Sequence, residues 1–368
     1  MPRSRSRSPS PSAPRRRPAA GLVPHLRELA AAAAADQPLP TTRELGERFG
    51  VANTTVFRAL RALARAGEVW QHPTNGRYYP SSARLLVDRP KPIACLIRRL
   101  ELGSELYREL LEGISAGCGA GQRTILLWHD DLLVNHPDPH EPPAFASLPQ
   151  QRAILADFLA RHGDAAGGFI LDHVWSDEAL AAHADRLRPA VLLYRASPQP
   201  ELHNPAADFR AGAFMAIGHL LGRGFEQVIP TRPFVGDPAV DEFFTALQAV
   251  AVELNCQTRV TEPARASTPA ERGSLVQRLR RTSRRTALLC PEDNVAVLLL
   301  AALRETGIAC PAQVGVLSVM GTDFATRAGL SCLRYDFRKL GRAAVEALTR
   351  AEPSRTSFEP VLWSGETT

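Results

Sequence analysis

The stretch TTRELGERFGVANTTVFRALRALARAGEVW, residues 41–70, decides how the first part of the chain folds. Thr41 and Glu44 have the spacing of a capping box: the threonine oxygen accepts the third backbone N–H and the carboxylate reaches back to the cap residue. A helix therefore starts close to Thr41 and carries Leu45 and Phe49 inward. Gly50 suits a left-handed stop, Val51 an apolar anchor, and Asn53 or Thr54 a fresh N-cap. The next helix holds Val56, Leu60 and Leu63 on one face, and Gly67 closes it. Downstream, EVWQHPTNGRYYP (68–80) places two short strand-like pieces around a turn, which predicts a β-hairpin with Asn75 and Gly76 near its tip. Upstream, Leu22, Val23, Leu26, Leu29 and Ala30 follow helical spacing until DQPLP ends the run. The order is helix, helix, turn, helix, wing.

This unit sits in the basic part of the chain. Residues 1–90 hold fifteen arginines and no lysine against six acidic residues, a surplus of nine, so the remainder carries minus three of the net +6. A basic module on a nearly neutral body suits a polyanion partner, because neutralising phosphates releases counterions. Residues 1–20, MPRSRSRSPSPSAPRRRPAA, lack apolar periodicity and predict a disordered basic tail, either phosphate-tracking or merely solvated. The 368 residues, 45% hydrophobic, are enough for two or three cored domains. No long apolar run marks a signal or a membrane span. The six cysteines are scattered singly, five of them in apolar or small-residue surroundings, as expected of buried thiols in a reducing cytoplasm. The expected location is cytoplasmic, on the nucleoid through DNA, with no membrane partner.

In a helix-turn-helix, the third helix here would enter the major groove with its N-terminal residues at base edges. Asparagine can pair with adenine and arginine with guanine, while threonine can bond phosphate or touch a thymine methyl. The candidate DNA-binding residues are Thr41, Thr42 and Arg43 at the second helix, Asn53, Thr54, Thr55, Phe57 and Arg58 at the third, and Asn75, Gly76 and Arg77 at the wing. Phe57 reads either as a core residue or as an exposed contact for a thymine methyl. A winged helix used for protein assembly is the alternative for the whole head.

The residues from Gly21 to Pro80 resemble the winged-helix head of the GntR family of bacterial regulators. The resemblance rests on the L-P-x-x-R-E-L entry, the G-V turn, the T-T-V core of the third helix, the A-L-x-x-L-x-x-x-G exit and a wing glycine. It implies DNA contacts at Arg43, Thr54 and Thr55. Asn53 and Phe57 stand where that family often has arginine, which implies a different operator, richer in A·T opposite Asn53.

After SSARLLVDRPKP, which suits a linker over 81–92, strand and helix patterns alternate from residue 93 to the C-terminus. IACLIRR, RTILLWH, GGFILD and AVLLYR are strand-like, with helices near 104–121 and 150–161. FEQVIPTRP, ALLCP and VGVLSVM follow, with helices AGAFMAIGHLLGRG and NVAVLLLAALRETG between them. This alternation predicts parallel βαβ units in two lobes with both sheet faces covered. The fold class is therefore α/β: an N-terminal winged helix-turn-helix (21–80) and a two-lobed domain with parallel sheets (93–368).

The order of YRELLEGI, GGFIL, AVLLYR, DFRAGAFMAIGHLLGRGFEQVI, CPEDNVAVLLLAALRETGIACPAQVGVLSV and YDFRKLGRAAVEAL resembles the effector domain of LacI/GalR regulators, similar to periplasmic sugar-binding proteins. That resemblance implies a small-molecule effector of the sugar class in a cleft between the lobes, and a homodimer. Open α/β sheets bind ligands at the carboxyl ends of their strands. The candidate effector residues are Arg195, Asp208 and Asp293, with Arg98 and Arg99 after the first strand and Asp323 further on. Asp208 and Asp293 also precede helical patterns, so capping is an alternative duty for both. The chain has Asp208-Phe209 where the family commonly has Asp-Asn, Glu292-Asp293 where it has Asn-Asp, and Met320-Gly321 where it has Asp-Asp.

HDDLLVNHPDPHEPP (129–143) holds three histidines, but its prolines and irregular spacing read as a solvated loop rather than a metal site. No cofactor is expected. An enzyme is the third class to weigh, and the sequence has no P-loop, G-x-G-x-x-G or H-E-x-x-H; its G-x-S-x-G match, GISAG at 113–117, falls inside the helical stretch 104–121 and not at the strand-to-helix turn of a nucleophile elbow. The reading is a ligand-responsive, DNA-binding transcriptional regulator, with repression the commoner outcome in such families. The alternative is a small-molecule-binding protein whose winged helix serves assembly.

Overall fold

The computed structural model describes residues 21–34, 37–73, 75–81, 90–97, 105–120, 123–129, 133–134, 144–234 and 236–368. The tail over 1–20, most of the linker over 81–92, Arg98, Arg99 and most of the 129–143 stretch lie outside them. The chain divides into two compact units, one ending at Pro90 and the other starting at Lys91.

The first unit holds α1 (Leu22–Ala32), α2 (Thr42–Phe49), α3 (Asn53–Arg65), β1 (Val69–Gln71) and β2 (Tyr78–Pro80). Its core joins Leu26, Leu45, Val56, Leu60, Leu63, Val69 and Tyr78, so all three helices and the wing share one apolar centre. The capping box forms as the sequence predicts: Thr41 accepts from Glu44 N, and the Glu44 carboxylate accepts from Thr41 N at 2.7 Å. Those bonds draw the Glu44 pKa downward, backbone contact first. Gly50 ends α2 with φ +64°, and Gly67 follows α3 with φ +75°. The strands pair antiparallel from Val69 opposite Pro80 to Gln71 opposite Tyr78.

The start of α3 differs from expectation. Its N-cap is Ala52, which makes no side-chain cap bond, and Asn53 is already the first helical residue. The reason is close packing: a Cβ at Gly46 would collide with the Asn53 side-chain oxygen. Asn53 is seated over α2 instead of capping its own helix.

The second unit begins with β3 (Ile93–Ile97), α4 (Glu105–Ala120), β4 (Ile125–His129), β5 (Leu133–Val134), β6 (Ala144–Phe145), α5 (Leu148–His162), β7 (Phe169–Leu171), α6 (Asp177–Ala181), β8 (Ala190–Leu192) and β9 (Asn204–Ala207). It continues through α7 (Phe209–Gly222), β10 (Gln227–Arg232), α8 (Pro238–Glu253), β11 (Ala264–Arg265), α9 (Pro269–Arg280), β12 (Thr286–Cys290), α10 (Asp293–Glu305), β13 (Val314–Gly321), α11 (Asp323–Arg327) and β14 (Ser331–Arg334). α12 (Phe337–Ala347), β15 (Arg355–Phe358) and β16 (Val361–Trp363) complete it.

Two sheets result. In the first lobe the order is β4-β3-β7-β8, every pair parallel. In the second it is β11-β10-β12-β13-β14-β16, parallel except for the antiparallel edge strand β16. Each face is covered, and the period of two shows it: Ile93, Cys95 and Ile97 enter one core while Ala94 and Leu96 enter another. Single bridges put β9 beside the β8 segment, and β15 pairs parallel with β9. The chain passes between the lobes after β9, after β14 and after β15. α12 thus returns to the first lobe and packs on α4, where a Cβ at Gly113 would strike the Arg338 backbone and one at Gly341 the Leu110 carbonyl.

Candidate nucleic-acid interface and ligand cleft

In the head, the exposed α3 residues are Asn53, Thr54, Phe57, Arg58, Arg61, Ala62 and Arg65. Thr54, Arg58, Arg61 and Arg65 follow the spacing of one helical face. None of the three arginines forms an ion pair among the described residues. Phe57 is 43% exposed, so it is not part of the core. Thr55 is half-buried. Thr42 opens α2, and Arg43 extends from its first turn, 82% exposed, with Glu47 3.1 Å away as its ion partner among the described residues.

The wing residues are more constrained. Asn75 donates to Tyr79 Oη at 3.2 Å and accepts from Arg77 N at 3.0 Å, so its amide holds the turn. Gly76 has φ +68°, a conformation glycine takes without steric cost. Arg77 reaches back to the Leu39 carbonyl at 3.4 Å. Arg61 and Arg65 were passed over in reading the sequence, although their spacing from Arg58 was the signal.

The second unit holds a cleft of about 450 Å³ along the seam between its lobes. Ala196 and Asn204 line it from the first lobe, Glu242 and Ala246 from α8 of the second, and Asp208 with Arg355 from the crossing segments. Glu242 accepts from Ala196 N at 3.0 Å, a bond that joins the lobes. Burial pushes its pKa up, while the Ala196 N–H and the Arg195 charge pull the other way.

Of the residues expected at an effector site, Asp208 lines this cleft and also caps α7, accepting from Ala211 N at 2.8 Å and from Ser357 Oγ at 3.3 Å. The capping duty is thus formed, and the side chain also faces the cleft. Arg195 has a structural duty: it is buried and donates to the carbonyls of His173 (2.8 Å), Trp175 (2.6 Å) and Ala196 (2.7 Å) and to Asp177 (3.0 Å). Its guanidinium ties the loop after β7 to the end of β8. Asp293 is not the cap of α10, which is Glu292. Its buried carboxylate accepts from Ser318 Oγ and from Thr322 N (2.9 Å) and Oγ1 (2.7 Å), which fixes the turn between β13 and α11. Burial raises its pKa against those bonds. Asp323 accepts from Arg334 (2.6 Å) and Arg338 (2.9 Å), and its N–H donates to Glu109 at 2.9 Å, so it links α11 to α4 and α12.

A second interlobe contact lies deeper. His173 follows β7; its Nδ1 is 2.7 Å from Asp172 Oδ1, though off the line of a straight hydrogen bond, and its Nε2 is 3.8 Å from Asp237 of the other lobe. Burial opposes charge on this imidazole, but the two carboxylates prevail and raise its pKa to about 9. Asp172 also receives the Tyr107 hydroxyl at 2.7 Å. Sequence reading missed His173 and Glu242: one follows a buried strand without a motif, and the other looks like an ordinary polar position on an amphipathic helix.

Comparison with known proteins matches each unit. Residues 25–78 match the gntR family of bacterial regulatory proteins, and residues 217–363 match the periplasmic binding protein-like domain. Among solved structures, a LacI transcriptional regulator from a Rhodococcus species is 19% identical with a TM-score of 0.60, covering 75% of this chain and 97% of its own. The lac repressor dimer bound to operator and an anti-inducer is 15% identical with a TM-score of 0.63, covering 78% and 97%. A LacI family regulator from Enterococcus faecium with bound ribose is 15% identical with a TM-score of 0.60, covering 76% and 98%. The chain thus joins a head that matches the gntR family of bacterial regulatory proteins to a domain that matches the periplasmic binding protein-like family and has the fold of LacI-type regulators, a make-up that supports a ligand-binding transcriptional regulator.

Proposed function

We propose that this protein is a homodimeric, sequence-specific repressor that reads a near-palindromic operator with α3 and releases or grips it according to a small polyhydroxylated effector held between the lobes of its second unit. The observation that carries the reading is the pairing of an exposed face of Thr54, Arg58, Arg61 and Arg65, without acidic partners among the described residues, with a two-lobed unit whose seam holds a cleft of about 450 Å³. Unpaired arginines on a recognition helix can meet phosphates and guanine edges. A cleft between lobes joined by crossing segments responds to a ligand that favours one arrangement, and the ligand then shifts the population. Two heads are needed because a single small module makes too few contacts for strong discrimination. The ribose in the Enterococcus faecium structure supports the ligand class by analogy of fold.

Footprinting the purified chain on DNA flanking its own gene, at about 0.15 M salt with excess competitor, tests the reading. A protected near-palindrome whose occupancy one small molecule changes is the expected result. Protection without sequence preference would overturn it.

A further inference from the structure

One short stretch of the second unit concentrates positive charge, although residues 91–368 together carry minus three. RLRRTSRR, residues 278–285, holds five arginines, and no acidic residue stands between Glu271 and Glu292. Arg278, Arg280, Arg281 and Arg284 are exposed, and none of their side chains has an ion pair or a hydrogen bond among the described residues. Part of this charge has an ordinary use. Arg278 and Arg280 lie in the last turn of α9, whose carboxyl end favours cations. That effect fades within one turn, and Arg281 is already the C-cap, with Arg284 and Arg285 beyond it.

The run is held in place rather than trailing in solvent. Leu275, Val276 and Leu279 bury the inner side of α9. Arg285 donates to the carbonyls of Arg223 and of Pro311, the latter at 3.4 Å, and its guanidinium lies 4.4 Å from the centre of the Phe225 ring. Thr286 then enters β12. Glu226 is the acid that this packing brings alongside. Its N–H donates to the Arg285 carbonyl at 2.8 Å, but its exposed side chain pairs with none of these arginines.

The neighbours of the arginines point to the partner. Every exposed residue from 273 to 284 is glycine, serine, glutamine or arginine. Such a face offers donors and positive charge with no apolar anchor. Protein partners are held mainly through a desolvated core with aromatic anchors, which is missing here. A nucleic-acid backbone needs none, since its phosphates are met by arginine forks and by serine and glutamine side chains. We infer that Arg278, Arg280, Arg281 and Arg284 form a second DNA-binding surface, which meets the phosphate backbone of a duplex without reading its sequence. For the choice of DNA among polyanions the inference rests on the function proposed above: a head on DNA raises the effective concentration of duplex, so a contact weak by itself suffices.

The test follows binding of the full-length protein to a labelled duplex of random sequence by fluorescence anisotropy, from about 0.05 to 0.2 M salt. The head's own contribution is first lowered by Arg58→Gln, Arg61→Gln and Arg65→Gln. Each phosphate met adds about 0.9 to the slope of log affinity against log salt, so Arg280→Gln, Arg281→Gln and Arg284→Gln together should take about 3 from it at an unchanged melting temperature. Lysine at the same three positions should keep the slope, because counterion release follows charge. Glutamine at Arg152, Arg342 and Arg350, exposed arginines of the same unit outside the run, is the control and should leave the slope as it is. A slope that the three changes do not move, or that the control lowers equally, overturns the inference. So does binding of polyglutamate or single-stranded RNA that needs these arginines while duplex binding does not, which gives the face to another partner. Footprinting of the protein with its head intact separates the two readings. A slope that depends on the run without any protected site keeps this surface and discards the operator, and a protected site with an unmoved slope does the reverse.

Discussion

At the scale of single residues, Phe57 carries the most information in the head. Phe57 is 43% exposed on the side of α3 that also presents Thr54, Arg58 and Arg61, where a bound duplex would meet it. Thymine methyls are the apolar features of the major groove. If Phe57 covers one, replacing that thymine by deoxyuridine removes a methyl worth about 0.8 kcal/mol, roughly a fourfold loss in affinity. Phe57→Ala should then bind thymine and deoxyuridine operators alike. A deoxyuridine scan of the footprinted site with both proteins checks this, and parallel losses at every thymine would remove Phe57 from base reading. The sequence left Phe57 ambiguous because exposure on a helix depends on how α1 and α2 pack, which no local pattern reports. Arg195 shows the same limit in reverse: its place at a strand end suggests ligand contact, yet the carbonyls of His173 and Trp175, in the loop after β7, and of the adjacent Ala196 consume its donors.

At the scale of elements, much was legible because local signals agreed. The capping box at Thr41, the left-handed Gly50 and the hairpin glycine Gly76 all stand where the spacing puts them. The missed cap at Ala52 came from a contact between helices, since Asn53 is committed to Gly46. Glycine contacts also decide how the first lobe is assembled from separated parts of the chain. α4 and α12 approach so closely that a Cβ at Gly341 would run into backbone at Leu110. Backbone cannot yield as a side chain tip can, so Gly341→Ala should push the helices apart and destabilise the second unit by about 1–3 kcal/mol, the usual cost of overpacking. Gly119→Ala on the same α4, where a Cβ meets nothing, is the control. Thermal unfolding of the two variants compares them; equal melting temperatures would show that the crossing tolerates the extra atom.

At the scale of the whole second unit, the lobes are held by ionic contacts that should respond to pH. His173 lies buried between Asp172 of its own lobe and Asp237 at the start of α8, with the Tyr194 ring against it and the Tyr107 hydroxyl on Asp172. Its pKa near 9 exceeds the ordinary histidine value of 6.5, so the folded form binds its proton more tightly than the unfolded chain does. The sign follows from linkage: this contribution is fully present below about pH 6.5 and is lost as pH rises through about 9. Deprotonation leaves Asp237 facing a neutral ring, and the closed arrangement loses its link at the deepest point of the seam. His173→Gln removes the titrating charge, so the variant should melt well below the native protein at pH 6 and approach it by about pH 9.5, beneath the range where tyrosines titrate. Small-angle scattering across the same range should show the native second unit expanding as the link is lost, while the variant changes little. A constant gap in melting temperature from pH 6 to 9.5 would mean that His173 serves packing alone. The same measurement bears on gating, because an interlobe cation facing Asp237 lets any ligand that competes for that carboxylate loosen the seam without first breaking the apolar core.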